Sequence, residues 1–115
     1  MLHIHVAAVS GGEVVVMVRG ELDCATSGQF RAAITALLNR GGIDAIGLDL
    51  RGLDLLDSIG IGTIVVAQRI CRQIGVHLRL TAINPFTARV LDVMGLHEAL
   101  ALSARSDIQD PITIA

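Results

Sequence analysis

The chain has 115 residues and a formal charge of −2; 52% of it is hydrophobic but only 2% aromatic. That length suits one domain, residues 1–115, whose core needs no disulfide or metal staple. The slight acidity supplies no basic footprint for nucleic acid or an anionic membrane, and Phe30 and Phe86 alone make no stacking platform for single strands.

The first segment alternates, with Leu2, Ile4 and Val6 on one face and His3 and His5 on the other, which predicts a strand wetted on one side. Ser10-Gly11-Gly12 supplies turn chemistry, and the β-branched run Glu13 to Arg19 completes a hairpin. Thr26-Ser27-Gly28-Gln29 has the spacing of a capping box ahead of a helix, whose apolar stripe is Phe30, Ile34, Leu37 and Leu38. Gly41-Gly42 ends that helix. Ile43 to Leu50 reads as a buried strand, Arg51 to Leu56 as a loop, and Ile59 to about Gln73 as a second helix closed by Gly75. Val76, Leu78 and Leu80 mark another strand. Asn84-Pro85 then opens a third helix with a capping side chain and a first-turn proline. Gly95 stops it, Ala99 to Leu102 reads as a short last strand, and residues 103–115 form a tail without a pattern. The order β-β-α-β-α-β-α-β describes an α/β fold. Its small mixed sheet has about five strands, the crossovers are right-handed, and the helices stack on the sheet.

No apolar run approaches the ~18 residues needed to span a bilayer, and Met1 to His5 lacks the charged start of a signal peptide. A cytoplasmic protein is expected. Cys24 and Cys71 are far apart and without metal-ligand spacing, so both are read as unpaired thiols.

Ser58 is the obvious nucleophile, but it lacks an elbow motif and a partnered base; it is read as the cap of the second helix. Asp49, Asp54 and Asp57 could suggest acid–base or metal chemistry, yet carboxylates ahead of a helix N-terminus are favoured by its dipole alone. His3 and His5 could chelate a metal, but no third ligand is spaced to help. Gly60 and Gly62 are too short a motif for a phosphate loop, and close packing explains them equally well. No enzyme chemistry, cofactor or metal is expected.

Asp23 and the segment Asp57-Ser58-Ile59-Gly60 each follow a strand and precede a helix. Loops at the carboxyl ends of parallel strands converge on one rim, so these two are expected on one surface.

The chain resembles the STAS family, and within it the anti-sigma factor antagonists. The likeness runs from about Val14 to Leu102. It rests on Gly20-Glu21-Leu22-Asp23, Leu48-Asp49-Leu50, Leu56-Asp57-Ser58-Ile59-Gly60-Ile61-Gly62, Gly75-Val76 with Leu78 and Leu80, and Arg89-Val90-Leu91 with Val93-Met94-Gly95-Leu96. The resemblance implies a non-enzymatic protein, a monomer or weak dimer, that binds an anti-sigma factor with serine-kinase activity and so releases a sigma factor. It implies a partner-binding surface of Asp23, Asp57, Ser58, Ile59, Gly60 and Ile61. The family's phosphorylated residue is the Ser or Thr immediately before the glycine. Here that position is Ile59, which has no hydroxyl, so Ser58 is the only local acceptor and the usual phospho-switch is missing. Two alternatives stay open: an accessory subunit of a transporter or stress-signalling complex, and a module that binds a small molecule or nucleotide.

Overall fold

The computed structural model describes residues 1–95. Seven elements run in the order β1 (Leu2–Ser10), β2 (Glu13–Leu22), α1 (Ser27–Arg40), β3 (Ala45–Leu56), α2 (Ser58–Gln73), β4 (His77–Ala82) and α3 (Pro85–Val93). The expected last strand, Ala99 to Leu102, lies outside the described residues.

The four strands form one sheet in the order β1-β2-β3-β4. β1 and β2 are antiparallel, and Gly11 and Gly12 join them with φ of 55° and 85°. Two positive φ values are what a two-residue hairpin turn needs to follow the twist of its strands. β3 lies parallel to both β2 and β4. Alternation sorts the side chains: Val14, Val16 and Val18 of β2, Ile46 and Leu48 of β3, and Leu78 and Leu80 of β4 are all buried. Phe30, Ile34 and Leu37 of α1 and Ile61, Ile64, Ala67 and Cys71 of α2 join the same core.

β3 does not stop at Leu50. It runs to Leu56, and the expected loop Arg51 to Leu56 is strand. The register shows why alternation was lost. Met17 and Arg19 face Asp49 and Gly52, and Gly20 and Glu21 face Leu53 and Leu55, so β3 carries one extra residue at each shift. Each extra residue moves the inward phase by one, and Leu50, Leu53 and Leu56 are buried at every third position instead of every second.

α3 starts as expected at Asn84-Pro85. The Asn84 carboxamide oxygen accepts from the Thr87 N–H at 2.7 Å. Its Nδ2 donates to the carbonyls of Arg51 and Leu53, each at 2.9 Å. The same side chain thus caps a helix and satisfies two β3 carbonyls in the shifted stretch.

Candidate functional site

β2 and β3 are parallel and end together, with Leu22 facing Leu56. The loops that leave them, one toward α1 and one toward α2, therefore begin side by side. Asp57 ties them. Its N–H donates to the Leu22 carbonyl at 3.3 Å, its Oδ1 accepts from the Gly60 N–H at 2.7 Å, and its Oδ2 accepts from the Cys24 N–H at 3.3 Å. One carboxylate caps α2 and holds the neighbouring loop. The two segments share one rim.

The cap is therefore Asp57 and not Ser58. Asp57 has the extended backbone that capping requires (φ −100°, ψ −179°), while Ser58 is the first helical residue and is exposed. Asp57→Ala is expected to cost about 1–2 kcal/mol of stability, since a lost cap alone costs about 1 kcal/mol. Asp57→Asn, which keeps an accepting oxygen, should cost much less. Urea unfolding of both variants checks this, and equal midpoints for alanine and wild type would contradict it.

The Asp23 loop is built from its own hydrogen bonds. Asp23 Oδ1 accepts from the N–H groups of Ala25 at 3.0 Å and Thr26 at 3.1 Å. The Asp23 carbonyl accepts from the Ser27 hydroxyl at 2.6 Å and its N–H at 2.9 Å. The expected Thr26–Gln29 capping box is absent. Thr26 has φ −110° and ψ −5°, not the extended conformation of a capping residue, and its side chain makes no cap bond. The Thr26 hydroxyl instead donates to the Glu21 carbonyl at 2.8 Å and accepts from the Asp23 N–H at 3.0 Å. The Gln29 amide donates to the Leu2 carbonyl at 2.9 Å.

Of the residues expected at a partner-binding surface, Asp23 and Asp57 are half-buried at the rim, Ser58 is exposed and Ile59 is 50% exposed. Gly60 and Ile61 are buried, so they support the surface from beneath rather than form it. At 1% exposure Ile61 is core. Two residues along a helix is a turn of about 200°, so Ile59 and Ile61 must face opposite ways. The glycines also differ in role. A Cβ on Gly60 would meet the Leu22 carbonyl oxygen at 2.4 Å, whereas one on Gly62 would meet nothing within 4 Å. Close packing accounts for Gly60 alone. Leu22 stands in the sequence only as part of the Gly20–Asp23 motif; its close approach to α2 is a tertiary contact, whose one trace in the chain is the glycine at the third position of that helix.

The other candidates lie elsewhere or are otherwise engaged. Burial would raise the Asp49 carboxyl, but the Arg51 guanidinium beside it, at 2.7 and 3.1 Å, holds it below the usual carboxylate range. Asp54 is an exposed residue of β3. His3 and His5 are exposed on one face of β1, and among the described residues no three metal-ligating side chains cluster. Cys24 is exposed at the rim and Cys71 is buried in α2, where burial pushes its thiol up; both are free. Among the described residues no helix is long and apolar enough to cross a membrane.

The family model of the STAS domain matches residues 5–109. An anti-sigma F factor antagonist of Paenibacillus polymyxa is 31% identical over 91 residues, covering 79% of this chain and 78% of that protein. One from Lysinibacillus sphaericus is 30% identical over 95 residues, covering 83% and 81%. The solved structure of the anti-sigma factor antagonist SpoIIAA in its unphosphorylated form superposes with a TM-score of 0.72, covering 98% of this chain and 89% of that one; at 21% identity it speaks for the fold.

Proposed function

The chain belongs to the STAS domain family, and on that footing we propose that it is an anti-sigma factor antagonist that docks its β2–α1 and β3–α2 rim onto an anti-sigma factor. The observation that carries this reading is the rim itself. Asp57 joins the two loops into one surface through Gly60 and Cys24, and that surface presents Ser58 and Ile59 to solvent. The curated relatives, named as anti-sigma F factor antagonists, supply the class of partner. A rim with no nucleophile–base pair suits binding better than catalysis.

The reading includes regulation. A phosphate adds about −1.5 to −2 charges. Set beside Asp23 and Asp57 in a surface that loses water on binding, it would stand unpaired, at a cost of roughly 3–5 kcal/mol. Ile59 has no hydroxyl to carry it, so this antagonist stays bound where a serine-bearing relative is switched off. The partner is a serine kinase acting on related antagonists, and here it meets an apolar side chain.

The test is direct titration of the purified anti-sigma factors of the host organism, followed by assay of sigma-factor release. One of them should bind and give up its sigma factor; binding to none overturns the proposal. Incubating the complex with ATP and locating phosphate by mass spectrometry tests the second half. The chain should remain unmodified, and stoichiometric phosphate on Ser58 would show that the switch has moved by one residue.

A further inference from the structure

α2 has an outer flank that neither the core nor the rim explains. Ile59, Val66 and Ile70 are 50%, 43% and 46% exposed, and Ile74, at the C-terminal cap, is 58% exposed. Steps of seven, four and four residues keep these four side chains on one side of a helix. They form an apolar ridge of about 16 Å from Ile59 to Ile70, at 1.5 Å per residue. Gly60, Ile61, Thr63, Ile64, Ala67 and Cys71 already seat the helix on the core, and the ridge runs along the edge of that buried side, where its own side chains stay half exposed. Charge is distributed unevenly along the ridge. The only charged residues of α2 are Arg69 and Arg72, both exposed near its C-terminal end. At the other end stand Asp57, which caps the helix, and the Asp23 loop that Asp57 holds through Cys24.

We infer that this ridge is the second half of the docking surface and that the same anti-sigma factor covers it. The inference rests on the antagonist reading above. Ile59 belongs to both features, so a partner seated on the rim reaches the ridge without a break. The occupant's chemistry follows: an apolar groove over the ridge and carboxylates beside Arg69, with no basic group needed at the rim, where the Asp57 and Asp23 carboxylates already accept from backbone N–H groups. A helix laid into a groove by anchors at such spacings is a common recognition mode, and Arg69 at one end of the ridge helps fix its register. A second copy of this chain is the poorer occupant. Four half-exposed aliphatic side chains fall well short of the ~800 Å² per partner that a stable dimer buries, but they extend an interface that the rim begins.

The experiment is calorimetric titration of the host's purified anti-sigma factors with the full chain and three variants, I70D, R69E and H3D. The ridge variants I70D and R69E should each lose at least tenfold in affinity while keeping the wild-type melting temperature. H3D, on an exposed position of β1, should bind as wild type does. R69E keeps the test decisive if I70D disturbs folding, since Arg69 is an exposed charge. Wild-type affinity in both ridge variants overturns the inference while leaving the antagonist reading intact. Sedimentation velocity adds a second arm: a wild-type dimer that I70D dissociates, with partner affinity retained, assigns the ridge to self-association and also overturns it. If no anti-sigma factor binds the wild type, the antagonist reading fails, and the ridge's partner falls with it.

Discussion

Ile59→Glu is expected to abolish useful binding to the proposed anti-sigma factor partner, lowering affinity by two to three orders of magnitude, while the melting temperature should stay within about 2 °C of wild type. The two halves of this result have separate causes. Ile59 is half exposed at the N-terminal end of α2, and exposed substitutions away from special features usually stay within about 0.5 kcal/mol in stability. A carboxylate in the first turn of a helix is even mildly favoured by the dipole. In the complex the same carboxylate would be desolvated beside Asp57 and Asp23. An unpaired charge there costs roughly 3–5 kcal/mol, and each 1.4 kcal/mol is tenfold in affinity. The variant therefore imitates, permanently, the phosphate that Ile59 cannot accept. Titration calorimetry and a thermal melt on one sample check both halves. Unaltered affinity would mean that Ile59 lies outside the interface. Ile59→Ser makes the converse point: it should bind nearly as wild type and gain a phosphate from a kinase-competent partner with ATP.

Gly60→Ala is expected to destabilise the fold by about 2–3 kcal/mol, within the usual range for overpacking a core. Gly62→Ala, two residues on, should stabilise it by about 0.5–1 kcal/mol, because glycine inside a helix is that much poorer than alanine. The contrast comes from what each added methyl meets. At position 60 it falls 2.4 Å from the Leu22 carbonyl oxygen and 3.0 Å from Leu22 Cγ. Leu22 cannot yield easily: it is fully buried, paired with Leu56 across the sheet, and its carbonyl accepts from Asp57. The start of α2 must lift off β2, which also pulls Asp57 away from Cys24 and loosens the rim. Partner affinity should fall with stability in Gly60→Ala and stay at the wild-type level in Gly62→Ala. For a chain of this size the first change lowers the melting temperature by roughly 10 °C. If both alanines melt alike, the close approach to Leu22 is not what position 60 requires.

Much of the fold was legible in the chain because its signals are local. The Gly11-Gly12 turn, the glycines that end helices at 41, 75 and 95, and the Asn84-Pro85 start each depend on the conformations open to one or two residues, and the described structure has each in place. The stripe Phe30, Ile34 and Leu37 was equally readable, since helical period alone puts those residues on one face. Local reading failed where a residue's role is set by a distant part of the chain. The Thr26–Gln29 spacing looked like a cap, but Glu21 and Leu2 claimed the two side chains. Ser58 looked like a cap as well, yet Asp57 had the extended backbone and a second donor from Cys24 to satisfy.

What the sequence by itself determined was the α/β order, the core-forming faces and the absence of a hydroxyl at position 59, because composition, period and residue identity are properties of the chain. Only the tertiary structure decided how far β3 runs, since its last residues are strand by virtue of pairing with β2 through two register shifts. It likewise decided that Ile59 faces water and Ile61 the core. Helical period sets those two apart by about 200°, but it does not say which way the sheet lies. That orientation is set where Gly60 meets Leu22, a contact across 38 positions of sequence that no local propensity encodes.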